Sequence, residues 1–368
     1  MVVVISCSHF PDDERIYHKE IKTILEEGYF VKYFTFAESI IDINDKNIIH
    51  INYDKSEYSL RGYLKLVEDE LMNDPPKVIH IHEPELFLLA IKLKKAYNTK
   101  IIYDVHEDYP SMIDTFSRLN NPLRNIKIRY WKLKERHFLK YVDEIFIASP
   151  GVANSGFVDQ GFSPILLENY PLKKFIKKIN IKSKKKNSLI YHGNIAPERG
   201  ISELIKSISI VIKEVPDIFL SIYGGFRTRS YRKELFKLVS SLNLDSHIAF
   251  NRHIEHEDIW EHLRENLIGI IPFNDNPLTR VNTPTKLFEY MAAGCHIISS
   301  SLPPVTRYDA RVNFSPPGDV SSLASLIVTT LNNIVEDDIL YNQEKVQSTY
   351  NWEKNKNKIK ETYFKIHK

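Results

Sequence analysis

Short β-rich apolar runs alternate with helical stretches along nearly the whole chain. VVVIS (2–6) leads into a helix expected from about Asp13 to Glu27 and closed by Gly28; FVKYFTF (30–36), IIHIN (48–52), VIHIH (78–82), IIYDV (101–105) and EIFIA (144–148) follow. Segments of helical periodicity such as PELFLLAIKLKK (84–95) fill most of the intervals. That rhythm predicts an α/β chain in which parallel sheets carry helices on both faces.

A lysine-rich segment, PLKKFIKKINIKSKKKN (171–187), interrupts the rhythm and reads as a solvated linker. The pattern then restarts with SLIYHG (188–193), IFLSIYG (218–224), HIAF (247–250), LIGIIPF (267–273) and HIIS (296–299), with helices near 200–214, 229–242, 256–265 and 284–293. Two doubly wound domains are therefore expected, 1–170 and 188–345, joined by the linker 171–187 and separated by a cleft. The tail 346–368 is helical, has no strand left to follow, and is expected to cross back onto the first domain through Trp352 and Tyr363. A chain of 368 residues is also too long for one ordinary core.

Composition mainly removes alternatives. With 43% hydrophobic and 26% charged residues the chain reads as an ordinary soluble protein, and a net charge of +3 argues against a nucleic-acid coat. Cys7 and Cys295 fall in different domains, so a disulfide framework is not expected and a cytoplasmic setting fits. The opening MVVVISCSHF lacks a basic start and reads as a core strand, not a signal peptide. No window approaches the roughly 20 apolar residues that span a bilayer, so any membrane contact is expected at the inner face and peripheral.

Ligands of open parallel sheets bind beyond the carboxyl ends of the strands, which singles out a few loops. YHGNIAPERG (191–200) passes from a strand through Gly193 and Asn194 to a helix start, where Arg199 adds a guanidinium to free backbone N–H groups. In NTPTKLFEYMAAG (282–294), Pro284 suits a first helical turn capped by Thr283, with Thr285 and Lys286 beside it. A lysine at a helix start opposes the helix dipole unless an anion is present. Glu289 lies three residues on, an acid among Leu287, Met291 and Ala292; it either points outward or holds a ligand. A diphosphate gripped by Arg199 and Lys286, with Glu289 accepting from sugar hydroxyls, would satisfy all three.

The first half offers Asp13 and Arg15 in SHFPDDER, then His80, His82 and Glu83, and His106, Glu107 and Asp108 directly after IIYDV with its Asp104. Asp13, Arg15, His82, Glu83, His106 and Glu107 are the expected acceptor or sugar contacts. His80 and His82 face one way on a strand, which suits a metal but more simply a core histidine with one hydrogen bond; no metal is assigned. RNIKIRYWKLKERHFLK (124–140) has seven Lys or Arg and one acid, with Ile126, Tyr130, Trp131, Leu133 and Phe138 interspersed. It suits a helix packed on its own sheet, or one lying on an anionic bilayer.

Taken in chain order, DDERIYHKEIKTILEEGY, VIHIHEPELFLLA, IIYDVHEDYP, YHGNIAPERGISELIKSI, PTKLFEYMAAGCHIISS and YNWEKNKNKIKETYFKI resemble the GT-B glycosyltransferases of family 4. The resemblance runs nearly end to end. It implies two Rossmann-like domains, and a retaining transfer from a nucleotide-diphosphate sugar to a glycan or lipid-linked acceptor in bacterial surface polysaccharide synthesis, with no cofactor. It makes Glu289 the ribose ligand, Arg199 the diphosphate ligand, His106 the sugar contact and the loop around Ile254 the base seat. Three departures stand out: Asn194 replaces an arginine, Val281 a glutamate, and SHFPDDER a Gly-rich loop; Lys286 can restore the lost charge. On these grounds Arg199 and Lys286 are expected to stabilise the leaving group electrostatically, with His106 at the reacting sugar. A silent binding protein, or a nucleotide-sugar epimerase of the same fold, is the alternative.

Overall fold

The computed structural model describes residues 1–367 except 39, 40, 42, 156, 158–160, 253 and 255. The chain forms two compact units, residues 1–169 with 352–368, and residues 170–351.

In the first unit, β1 (Val2–Ile5), β2 (Val31–Phe36), β3 (Ile48–Tyr53), β4 (Val78–Ile81), β5 (Lys100–Val105), β6 (Glu144–Ile147) and β7 (Ile165–Leu166) form a parallel sheet in the order 3-2-1-4-5-6-7. Val2 of β1 lies opposite Val31 on one side and Val78 on the other. All four residues of β1 are buried, as expected of a central parallel strand covered on both faces. β7 has no counterpart among the expected strands, because two residues carry no periodicity.

The first helix starts later than Asp13. Asp13 lies before it, and its carboxylate accepts from the N–H groups of Arg15 and Ile16, both at 2.9 Å. Residues Ile16–Ile21 then wind as a π-helix before the α-helix Lys22–Glu26. The final helix, Glu353–His367, belongs to this unit. Trp352 is fully buried and donates from Nε1 to Thr23 at 3.2 Å, Asn355 donates to the Glu168 carbonyl, and the Tyr363 hydroxyl meets His80 Nδ1 at 2.9 Å.

In the second unit, β8 (Lys185–His192), β9 (Phe219–Tyr223), β10 (Ile248–Asn251), β11 (Asn266–Ile271), β12 (His296–Ser300) and β13 (Asn313–Ser315) form another parallel sheet, in the order 10-9-8-11-12-13. Leu189 pairs with Leu220 and Ile268. The helix Lys286–Ala293 is buried along its whole length. Its docking is set by Tyr290, whose ring occupies the space that a side chain on Gly269 would take, 2.3 Å from a Cβ there, and whose hydroxyl donates to the Ile190 carbonyl.

Most lysines of the lysine-rich segment are exposed, but two of its side chains anchor it to the second unit. Phe175 stacks on Trp260 at 4.7 Å, and the Lys184 ammonium donates to the carbonyls of Arg264, Asn266 and Ala293. Three carbonyls satisfy a buried ammonium well enough to hold the chain to the sheet.

Candidate functional site

A doubly wound sheet opens a crevice where its strand order reverses, because the loops leaving the two central strands run to opposite faces. In the second unit those strands are β8 and β11. Gly193 follows β8 with φ 108°, and a Cβ on it would stand 3.3 Å from Lys286 Nζ. Gly200 has φ 68°, and a Cβ there would sit 1.7 Å from the Pro272 carbonyl oxygen, so glycine alone lets this loop close on the exit of β11.

That closure delivers Arg199 to Phe273, its guanidinium carbon 4.6 Å from the ring centroid. Lys286 Nζ lies 4.7 Å from the same centroid and 4.7 Å from that of Tyr191. Two cations therefore share one phenyl ring. Lys286 is 7% exposed, and its pKa falls to about 7. Burial is the main cause, repulsion from Arg199 adds to it, and Glu289 opposes both. A desolvated ammonium beside a guanidinium stays protonated best when an anion joins them.

Glu289 lies in the first turn of the same helix and is 4% exposed. His256 Nε2 stands 2.9 Å from one of its oxygens and His192 Nε2 3.1 Å from the other. Burial opposes ionisation, but the two histidines outweigh it and hold the carboxyl well below its usual range. The acid on this apolar helix is therefore a carboxylate clamped between imidazoles. A carboxylate offers about four acceptor positions, so the clamp leaves capacity for ligand hydroxyls.

Around this group the remaining expectations sort as follows. Thr283 does not cap the helix: Thr285 holds that position without a side-chain bond, and the Thr283 hydroxyl lies 2.9 Å from that of Tyr308. Pro284 is buried before the first turn, and its carbonyl accepts from Leu287 N. Asn194 is exposed, and its carbonyl accepts from the Tyr191 hydroxyl at 2.7 Å, fixing the ring near Lys286. Ile254 packs partly buried against the core; the neighbouring positions 253 and 255 of the NRHI loop lie outside the described residues.

In the first unit, Asp104 organises the strand-end group. It receives Arg15 NH2 at 2.7 Å and Arg15 Nε at 2.8 Å, and His106 Nε2 lies 2.8 Å from it. Burial disfavours its charge, but Arg15 outweighs that and holds it well below the usual range. An ionised carboxylate only accepts, so His106 Nε2 carries the proton and Nδ1 is a bare acceptor. Burial lowers the His106 pKa to about 4 despite Asp104, so the ring is neutral at neutral pH.

Several expected sugar contacts are committed within the protein. Arg15, 4% exposed, also pairs with Glu20 at 3.0 Å and donates to the Leu167 carbonyl. Glu83 is buried and accepts from Ser6 Oγ, Cys7 N, Ser8 N and Ser8 Oγ, with His9 Nδ1 at 2.8 Å, so it anchors the loop after β1. His82 is buried, with Nδ1 3.1 Å from His106 Nε2. Asp13 serves the helix start, and Glu107, next in the chain after His106, is half-buried. Ligand atoms of Glu20, His80, His82 and Asp104 lie within 4.8 Å of one another, a spacing that suits a metal. The Arg15 guanidinium lies within 3.0 Å of both carboxylates, so a positive charge already stands among them.

His192, His256, Tyr191 and Phe273 join the site without having been expected there. His192 precedes Gly193 at a strand end and was legible by the rule that found Arg199. His256 begins a surface helix and carries no local signal.

The two parallel sheets and their helices define the class of fold: it is the GT-B fold of glycosyltransferases. Residues 173–338 match the family model described as Glycosyl transferases group 1. Among curated proteins, Bacillus subtilis (strain 168) YtcC, a candidate glycosyltransferase, is 26% identical over 250 residues, 65% of this chain and 59% of that protein. The gyrase A protein of Borrelia hermsii, a component of DNA gyrase, is 33% identical over 86 residues, 23% of this chain and 11% of that protein. The chain thus spans less than two thirds of either relative. Among solved structures, sucrose-phosphate synthase from Thermosynechococcus elongatus has a TM-score of 0.79 at 16% identity, covering 100% of this chain and 98% of its own. Anabaena Alr3699/HepE, solved with UDP and glucose, has a TM-score of 0.75 at 12% identity, covering 99% of each chain. No helix among the described residues is long and apolar enough to cross a membrane, and Cys7 and Cys295 are free and buried.

Proposed function

We propose that this protein is a nucleotide-sugar glycosyltransferase that moves a sugar, with retention at its anomeric carbon, to a glycan or lipid-linked acceptor in surface polysaccharide synthesis. The observation that carries the reading is the pairing of Arg199 and Lys286 on one phenyl ring, beside the ionised Glu289. Two adjacent cations, one of them desolvated, fit a diphosphate, and a clamped carboxylate fits the hydroxyls of a ribose. The group 1 match over 173–338 and the relatives solved with UDP point the same way.

In this reading negative charge grows on the departing diphosphate, and Arg199 and Lys286 hold it in place without reorganising, which is how such sites lower a barrier. His106, neutral and with Nδ1 unprotonated, accepts from a hydroxyl of the transferred sugar. No side chain is assigned as catalytic base, and the charge stabilisation described requires no metal. Isothermal titration of nucleoside diphosphates against Arg199→Ala and Glu289→Ala tests the site: each is expected to weaken binding by about 1–3 kcal/mol. Undiminished affinity in both variants would refute it.

A further inference from the structure

The helix Asn121–Leu139 presents two apolar faces, and among the described residues only one of them is covered. Glu135, Phe138 and Leu139 are buried, and Trp131 on the same side stacks on Tyr109 with centroids 4.7 Å apart. On the opposite side Ile126, Tyr130 and Leu133 are 64%, 66% and 60% exposed, and Leu123 extends the row at 51%. At about 100° per residue these four positions make one stripe along the outer face. Exposed Phe116 and Leu119 lie in the segment just before the helix.

The same spacing places Lys127 and Lys134 along one flank of the stripe, and Arg129, Arg136 and Lys140 along the other; all five are exposed. The segment's single acid, Glu135, faces inward, where burial and the charge of Asp108 raise its pKa to about 8. The outward face of the segment is therefore apolar along its crest from Leu123 to Leu133, with exposed His137 at its end, cationic on both flanks and free of acidic side chains. A soluble protein gains nothing from holding isoleucine, tyrosine and leucine in water along one line.

We infer that this face docks on an anionic lipid bilayer, the apolar crest entering the boundary between headgroups and acyl chains while the flanking lysines and arginines meet lipid phosphates. The charge pattern selects this partner. Two copies of the chain meeting through this face would oppose their cationic flanks, and a nucleic-acid backbone offers no apolar layer for the crest. The inference stands apart from the proposed transfer chemistry, since none of these side chains belongs to the diphosphate or His106 groups.

The test is flotation of the full chain with vesicles of phosphatidylcholine alone, or with a third of the lipid replaced by phosphatidylglycerol. Wild-type protein is expected to float with the anionic vesicles at least tenfold more than with the neutral ones, and to be released by added salt. Each of Lys127→Gln and Lys134→Gln should weaken binding about fivefold, the equivalent of about 1 kcal/mol per basic residue near such a surface. Ile126→Glu with Leu133→Glu should abolish flotation without lowering the melting temperature, because both positions are exposed. Equal flotation with the two vesicle types, or undiminished flotation of the Ile126→Glu/Leu133→Glu variant, would overturn the inference. So would a wild-type dimer in light scattering that the same variant dissolves, which would assign the face to a second copy.

Discussion

Raising the pH above neutrality should weaken binding of a nucleotide-diphosphate sugar through Lys286, because the diphosphate diester of such a ligand has no group that titrates in this range. Its pKa in the unliganded protein lies at about 7, against an ordinary value of 10.5. A bound diphosphate stabilises the ammonium and returns that pKa towards the ordinary range, so binding above pH 7 takes up a proton. The sign follows: affinity is greatest below about pH 7 and falls as the pH rises, until the pKa of the complex is reached. With a pKa of about 7, about three quarters of Lys286 is protonated in the free protein at pH 6.5 and about one in thirty at pH 8.5, so binding should be about twenty-fivefold weaker at pH 8.5, a loss of about 2 kcal/mol. Calorimetry at pH 8.5 in buffers of different ionisation enthalpy should show uptake of about one proton per diphosphate bound. The Lys286→Met variant should bind more weakly at pH 6.5 and show a flat profile from there to pH 8.5. A flat profile in wild-type protein, or a slope that survives in Lys286→Met, would refute the argument that the buried ammonium grips the phosphate. In the unliganded protein the same depressed pKa makes folding stability rise between about pH 7 and the ordinary lysine range, because the unfolded chain binds the extra proton there.

Two further outcomes follow from the first unit. Asp104→Asn removes the charge that pairs with buried Arg15 and holds the His106 tautomer, and should destabilise the unit by about 3–5 kcal/mol in denaturant unfolding; a loss below about 1 kcal/mol would show that Arg15 finds another partner. Trp352→Ala empties a fully buried site and removes the donor to Thr23 Oγ1, and should cost about 3–5 kcal/mol, with faster proteolysis of the final helix. Retention of wild-type stability would show that the terminal helix contributes little to the fold.

Most of the architecture could be read from local pattern. Strands such as VVVIS and LIGIIPF announce themselves because a strand buried on both faces must be continuously apolar, and that requirement acts on neighbouring residues. The strand-end rule then singled out Arg199, Lys286 and Glu289. β7 and β13 stayed hidden, being two and three residues long, and Thr283 looked like a cap because cap chemistry is only a tendency until the backbone chooses its turn. The anchoring of the lysine-rich segment was not legible, because nothing local reveals that Lys184 will find three carbonyls from distant residues.

The site divides in the same way. Which residues stand near a strand exit is a matter of chain order, and chain order suffices to nominate them. What state they are in is a matter of distance between residues remote in sequence. Glu289 is ionised because His192 and His256 reach it, Lys286 is poised near neutrality because burial strips its solvent and Arg199 shares its ring, and His106 is neutral because burial outweighs the charge of Asp104, which holds the ring's proton on Nε2. Periodicity acts over a few residues and is written into the chain, whereas desolvation and Coulomb interaction depend on packing and come into being only when the chain has closed on itself.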